Sequence, residues 1–248
     1  MAVYGKITIF MQNNDEFIRK YNELDCLIGE KFNRESDDSS IYFLINKYRR
    51  SRLEKERVYS TKLDSIRKIR NLMVHESGII DELFTVSDDV INFLDELIDY
   101  LRNPVRAKDV MTPLSKLIYG KKEDYLYYLI EKIVKDGISN IPILDEEKKV
   151  IGVFNSDVLL NLSLDKVKVN NETKILDIMS YVKLNNQLNL RFIFVTGEYE
   201  IDVLNDYFAF SKEQYKKRLP IIFVSVSGKE TSQLLGIVSP IDLIRKGQ

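Results

Sequence analysis

Two stretches of the chain, AKDVMTPL at 107–114 and ILDIMSYV at 175–182, are versions of one pattern, with Asp109 aligned to Asp177 and Met111 to Met179. The segments downstream of them are also alike: SNIPILDEEKKVIGVFNSDVLL after the first, RLPIIFVSVSGKETSQLLGIVSPIDLI after the second. In each, a proline (Pro142, Pro220) reads as sitting two residues into a strand. A polar turn comes next, then apolar-apolar-Gly-apolar-apolar, then an aspartate among aliphatics. The second copy is longer, mainly between Asn185 and Arg218. Tandem units of this kind predict a pseudo-two-fold pair with a small-molecule cleft between them.

The repeat occupies only the second part of the chain. After Asn103-Pro104, short β-branched runs alternate with helical stretches, the punctuation of an α/β fold. Before it the period is helical. DEFIRKYNELDCLIGEKF places Phe17, Tyr21, Leu24, Leu27 and Ile28 on one face, and Cys26 reads as a core residue beside them. SSIYFLINKYRRSRLEKERVY does the same with Ile41, Leu44, Ile45 and Tyr48, as does TKLDSIRKIRNLMVHE with Leu63, Ile66, Ile69 and Met73 before a stop at Gly78. SDDVINFLDELIDYLR opens on Ser87 as an N-cap with two acids in the first turn, and carries Val90, Leu94, Leu97, Ile98 and Leu101. Four helices in about 100 residues predict an antiparallel bundle. The opening VYGKITIF reads as a short strand or an extended arm. The expected domains are 1–103, helical, and 104–248, the repeat pair, with repeat one at about 104–168 and repeat two at about 169–248.

Composition narrows the chemistry. The net charge of −1 predicts no polyanion partner for the chain as a whole. One cysteine and one histidine exclude a disulfide framework and a multi-cysteine zinc site, so no metal is expected. The single cysteine fits a reducing compartment. The start lacks the apolar run and cleavage pattern of a signal peptide, and no stretch approaches about 18 consecutive apolar residues. The expectation is a cytoplasmic protein without a membrane span.

The segments AKDVMTP, ISNIPILDEEKKVIGVF and LLGIVSPIDLI resemble a tandem pair of CBS domains, a Bateman module, over nearly all of 104–248. The strongest match is the Gly-x-x-Ser/Thr-x-x-Asp signature at Gly236, Ser239 and Asp242. The resemblance implies regulatory binding of an adenosine-containing ligand: AMP, ADP, ATP or S-adenosylmethionine. It gives Asp242 the ribose hydroxyls and Ser239 the phosphate, with adenine contacts near Thr112 and along Asn140 to Pro142. The physics is consistent, since an ionised carboxylate only accepts hydrogen bonds and a helix N-terminus presents free N–H groups to an anion. In the first repeat, GVFNSDVLL puts Asp157 one residue closer to Gly152 than Asp242 is to Gly236, with Asn155 or Ser156 available as the helix cap. One competent site is therefore expected more readily than two. Both aspartates also suit plain helix capping, in a scaffold or dimer interface without ligand. This half carries no histidine, cysteine or P-loop, which favours a binding module over an enzyme. The tyrosine-rich DYLYYLIEKIV reads as a core and interface helix.

The lone histidine lies in IRKIRNLMVHESG. Its Arg70, Asn71 and His75 resemble the motif of the HEPN superfamily, all-helical domains that include many ribonucleases; the resemblance covers roughly 15–103. It implies metal-independent RNA cleavage at a dimer cleft, with His75 exchanging protons, Arg70 stabilising phosphate charge and Asn71 orienting either group. Residues five apart differ by about 140° around a helix, so Arg70 and His75 need not meet within one chain; unwinding after Met73, or a second copy of the helix across a dimer, would bring them together. Residues 47–70 hold ten Lys or Arg against three acids, and with Tyr48 and Tyr59 they form a candidate RNA-binding stretch. Residues 71–102 hold eight acids against one arginine, so mutual neutralisation explains the same pattern. A lone histidine is also often a packed structural residue.

The fold expected is thus α + α/β: an antiparallel helical bundle followed by a tandem CBS pair. The function expected is a nucleotide sensor that modulates the helical domain, with a CBS-gated ribonuclease and a structural dimerisation module as alternatives. Both resemblances imply a homodimer.

Overall fold

The computed structural model describes residues 2–32, 40–50, 54–75 and 84–246, with side chains described outside 2–12, 54–55, 210–215 and 245–246. The chain divides into two units, Met1–Pro104 and Val105–Gln248.

The first unit is built from α1 (Ala2–Lys31), α2 (Ser40–Arg49), α3 (Glu54–His75) and α4 (Asp88–Arg102). The opening segment is not a strand: helix α1 starts at Ala2. Val3, Ile7 and Phe10 also fit a helical spacing, and a helix nucleated downstream extends through them at little cost. The second expected helix is two. Helix α2 closes with a tight Arg50 N–H to Lys47 C=O bond, and EKERVY belongs to α3. Gly78 lies outside the described residues.

The helical stripes meet in one core, including Phe17, Leu24, Ile28, Leu44, Leu63 and Leu94. Cys26 is exposed instead, because it falls between the buried positions Leu24 and Ile28. Ser87 occupies the N-cap of α4, but its hydroxyl makes no capping bond. The chain entering α4 is held from α1: Asn14 donates to the Phe84 carbonyl at 3.0 Å and accepts from the Val86 N–H at 3.1 Å. Asn13 donates to Asp88 at 2.9 Å. Acids of α4 are met from α1 as well, through the Lys20–Asp95 pair.

The second unit contains α5 (Ala107–Val110), β1 (Thr112–Pro113), α6 (Leu126–Asp136), β2 (Asn140–Leu144), β3 (Val150–Asn155), α7 (Ser156–Leu164), α8 (Met179–Val182), β4 (Ile193–Val195), α9 (Ile201–Tyr215), β5 (Ile222–Ser225), β6 (Leu234–Val238) and α10 (Pro240–Lys246). Strands β2 and β3 form one antiparallel sheet; the other has the order β1-β6-β5-β4. Strand β4 runs parallel to β5, and Gly120 makes the corresponding parallel bridge to Ile143. An apolar layer that includes Leu144, Val150, Val153, Ile221, Phe223 and Leu234 joins the two sheets.

The paired strands align Gly152 with Gly236. Pro142 stands opposite Val153, and Phe223 stands opposite Ile237, in the same register relative to those glycines. The counterpart of Pro142 is therefore Phe223, and Pro220 precedes β5 altogether. The two prolines coincide in the letter pattern but not in strand register.

The two packed bodies exchange their leading segments. Arg106 bridges to Glu200, and the Ala107 and Lys108 N–H groups donate to Tyr199 and Gly197 carbonyls. Ala107 and Val110 are buried in a core with Val195, Ile201, Leu204 and Ile222 of the second repeat. Reciprocally, Lys174 bridges to Tyr125, and Ile175, Ile178 and Val182 are buried with Leu126, Leu129 and Ile141 of the first. Asp109 and Asp177 do the same work in each, accepting the Arg106 and Lys174 backbone N–H at 2.9 and 2.8 Å. On α6, Leu126 and Leu129 are buried, whereas Tyr125, Tyr127 and Tyr128 are about half exposed rather than in the core.

Lys108 donates to Glu198 at 2.7 Å, and Arg106 donates to the other oxygen of the same carboxylate. Lys108, then Arg106, hold the Glu198 carboxyl below its ordinary value of 4.5. This tie is present above the ordinary glutamate range and is lost as pH falls through the lowered value.

The exchange explains the two strand glycines. A Cβ on Gly236 would lie 2.4 Å from the Thr112 carbonyl oxygen, and one on Gly152 would lie 2.6 Å from that of Val182. In both cases the obstacle is the backbone of the donated segment, which has no room to retreat. Gly152→Ala and Gly236→Ala are each expected to lower stability by about 1–3 kcal/mol in urea denaturation; wild-type midpoints would contradict this seam.

Candidate functional site

The expected ligand residues fall into two sets. Thr112 pairs with Ile237 on β6, two residues before Ser239, so Thr112, Ser239 and Asp242 gather where β6 passes into α10. Asn140 and Pro142 lie on β2 opposite Asn155 and Val153, with Asp157 in the first turn of α7. Arg70, Asn71 and His75 belong to α3 of the helical unit.

At the head of α10, Pro240 occupies the first helical position, where its missing N–H costs nothing. Asp242 turns back on the residue before the helix. Its Oδ2 accepts from the Ser239 N–H at 2.8 Å and from the Ser239 hydroxyl at 2.6 Å. Both bonds fall on one oxygen. Among the described residues, Asp242 Oδ1 has no hydrogen-bond partner. The half-buried carboxylate is thus oriented by one oxygen while the other is left as an acceptor.

The head of α7 is built differently. Asn155 is its N-cap and accepts from the Val158 N–H at 3.1 Å. The residue three after the cap, the place of Asp242, is Val158, which is buried in the core. An asparagine that caps through its own side chain needs no acid there, and the position turns inward. Asp157 sits one residue earlier and pairs with Arg218 at 3.1 Å.

Asn155 and Gln187 form a buried polar pair that sequence reasoning did not find as a pair. Asn155 donates to the Gln187 side-chain oxygen at 2.8 Å, and Gln187 donates to the carbonyls of Val153 at 2.7 Å and Val182 at 3.2 Å. Only the departure of Asn155 from the Ser239 pattern signals it. Gln187 lies in the inserted stretch, outside any period.

In the helical unit, Arg70 donates weakly to Asn71 Oδ1 at 3.4 Å and stacks over the Tyr21 ring at 5.4 Å. Its Nε is buried without a hydrogen-bond partner. His75, the last residue of α3, is exposed. The rings expected to stack bases are committed elsewhere: Tyr48 is buried, and Tyr59 packs against Tyr48 and edge-on to Phe93. Several cations of the basic stretch also rest on aromatic rings, Lys47 on Phe32, Lys62 on Phe93 and Arg67 on Tyr42.

Among the described residues, no group of three or more His, Cys, Asp or Glu stands together as a metal-ligand set, and no helix is long and apolar enough to cross a membrane. No curated protein matches the chain. Solved structures similar to it include CBSX2 in complex with AMP, 17% identical, with 57% of this chain and 95% of that chain covered and a TM-score of 0.41. A CBS domain-containing protein of unknown function from Bacillus anthracis is 18% identical, with 57% and 91% covered and a TM-score of 0.40. A functionally unknown conserved domain from Neisseria meningitidis is 17% identical, with 74% and 99% covered and a TM-score of 0.42. In sequence, residues 107–165 match the family model of the CBS domain.

Proposed function

We propose that this protein is a regulatory ligand sensor. An adenosine-containing ligand (AMP, ADP, ATP or S-adenosylmethionine) binds at the head of α10, and the helical unit responds. The observation that carries this reading is the divided role of Asp242: Oδ2 is held by Ser239, and Oδ1 is left to accept a ligand's donor. A ribose diol supplies such donors, and Thr112 on the adjoining β1 lines the same place. The head of α7 offers no equivalent. Val158 stands where the acid would be, and Asn155 is satisfied by Gln187. One ligand per chain is the consequence. Regulation follows if the ligand binds one conformation of the unit more tightly than another.

Calorimetry with the four ligands tests this. We expect one bound per chain. Asp242→Ala should weaken binding by about 10- to 100-fold, the worth of a hydrogen bond to a charged group. Asp157→Ala should change it by less than about fivefold, since it removes only a partly exposed ion pair. No binding of any of the four, or full-strength binding by Asp242→Ala, would reject the reading.

A second reading has its own support. Arg70 and Asn71 touch, and His75 is exposed at the end of the same helix, so a HEPN-type ribonuclease centre has its three side chains on one element. In that case the chain cleaves single-stranded RNA in the presence of a chelator, and His75→Ala slows cleavage by about 100-fold or more. Equal cleavage by wild type and variant would assign the activity to something other than His75.

A further inference from the structure

Recognition of a phosphate at a helix start needs N–H and O–H donors that no protein group already holds. At the head of α10 most of them are held. The Ser239 N–H donates to Asp242 Oδ2 at 2.8 Å, and the Ser239 hydroxyl donates to the same oxygen at 2.6 Å. Pro240 has no N–H, and that of Asp242 donates to the Ser239 carbonyl at 3.1 Å. Of residues 239–242, this leaves the N–H of Ile241. Helix α10 is seven residues long and starts with its donors committed. Its N-terminus therefore presents little of the partial positive charge that attracts an anion.

Charge points the same way. Asp157, at the head of α7, has the Arg218 guanidinium at 3.1 Å. Among the described residues, Asp242 is paired with no lysine or arginine. A phosphate brought to Ser239 would have to take both of its donors from Asp242 and then lie beside that carboxylate. What this head offers instead is an acceptor, Oδ1, and a negative charge. These suit hydroxyl donors and a cationic group.

We propose that the head of α10 selects adenine nucleosides whose 5′ substituent is uncharged or cationic, adenosine and the sulfonium S-adenosylmethionine, over AMP, ADP and ATP. This selection rests on the sensor reading above and narrows its ligand class. Ser239 is then a positioning residue: it orients Asp242 toward the ribose and makes no phosphate contact.

Calorimetry on the full chain with adenosine, S-adenosylmethionine, AMP, ADP and ATP at one ionic strength tests this. Adenosine and S-adenosylmethionine are expected to bind about tenfold or more tightly than the three phosphates, the effect of a like charge at the site. Asp242→Asn keeps an acceptor oxygen and removes the charge, and should bring AMP to within about threefold of adenosine. Ser239→Ala should weaken adenosine and AMP by the same factor, because it loosens Asp242 for both. Any of the phosphates binding wild type as tightly as adenosine, a preference that survives Asp242→Asn, or a loss in Ser239→Ala confined to AMP overturns the selection and leaves the sensor reading standing. No binding of S-adenosylmethionine, AMP, ADP or ATP overturns both.

Discussion

Each packed body of the second unit borrows part of its core from the other repeat. Ala107 and Val110 fill a core otherwise made by the second repeat, and Ile175, Ile178 and Val182 fill one made by the first. Neither repeat alone carries the apolar side chains that complete its own core, nor the partners for the N–H groups that open α6 and α9. The dependence extends to single atoms. Gly152 and Gly236 are required because a donated carbonyl passes close to where a Cβ would stand, and any side chain would collide with backbone. Much else about the unit, including the place of β1 beside β6, depends on this exchange.

A near-symmetric scaffold need not present two equal sites. The two helix heads start from the same strand geometry and diverge through one choice of cap. At the second head the Ser239 hydroxyl donates to Asp242, which comes back to it and is left with one open oxygen. Asn155 reaches the Val158 N–H itself, and its amide is then free to engage Gln187. A buried polar pair is costly unless fully bonded. Gln187 meets that condition by reaching the Val153 and Val182 carbonyls. The first head is thus closed upon itself by protein groups where the second leaves an acceptor exposed.

In the helical unit, several described charges of 47–70 and 71–102 pair elsewhere than with one another. Asp95 and Arg102 of α4 pair with Lys20 and Glu23 of α1, while Arg67 and Lys68 pair with Asp64 of their own helix. Other cations of the basic stretch lie over rings, with Lys62 on Phe93 and Arg70 on Tyr21. Long cationic side chains cover apolar surface with their stems while keeping their charge at the rim. Part of the basic composition of α2 and α3 therefore serves packing, and that use competes with any role in holding RNA.

The features legible in the sequence were those that depend on near neighbours. The stripe of Phe17, Tyr21, Leu24 and Ile28 is buried as its spacing implies, and the runs around Ile143, Val153, Phe223 and Ile237 are strands, because helical and extended periods are local properties. The repeat of Asp109 and Asp177 could be read for the same reason, since each bonds the N–H only three residues back. The tyrosines at the head of α6 went the other way, because exposure depends on which neighbour arrives across the fold. The same holds for the match of Pro142 with Phe223 rather than Pro220, for the Asn155–Gln187 pair, and for the passage of 105–113 into the second repeat. These connect residues tens of positions apart, and strand register and segment exchange are decided by packing rather than by local spacing. The sequence by itself determined most of the elements and the tandem repeat. Only the tertiary structure decided which repeat each leading segment completes, because that choice depends on which core has room for Ala107 and Val110.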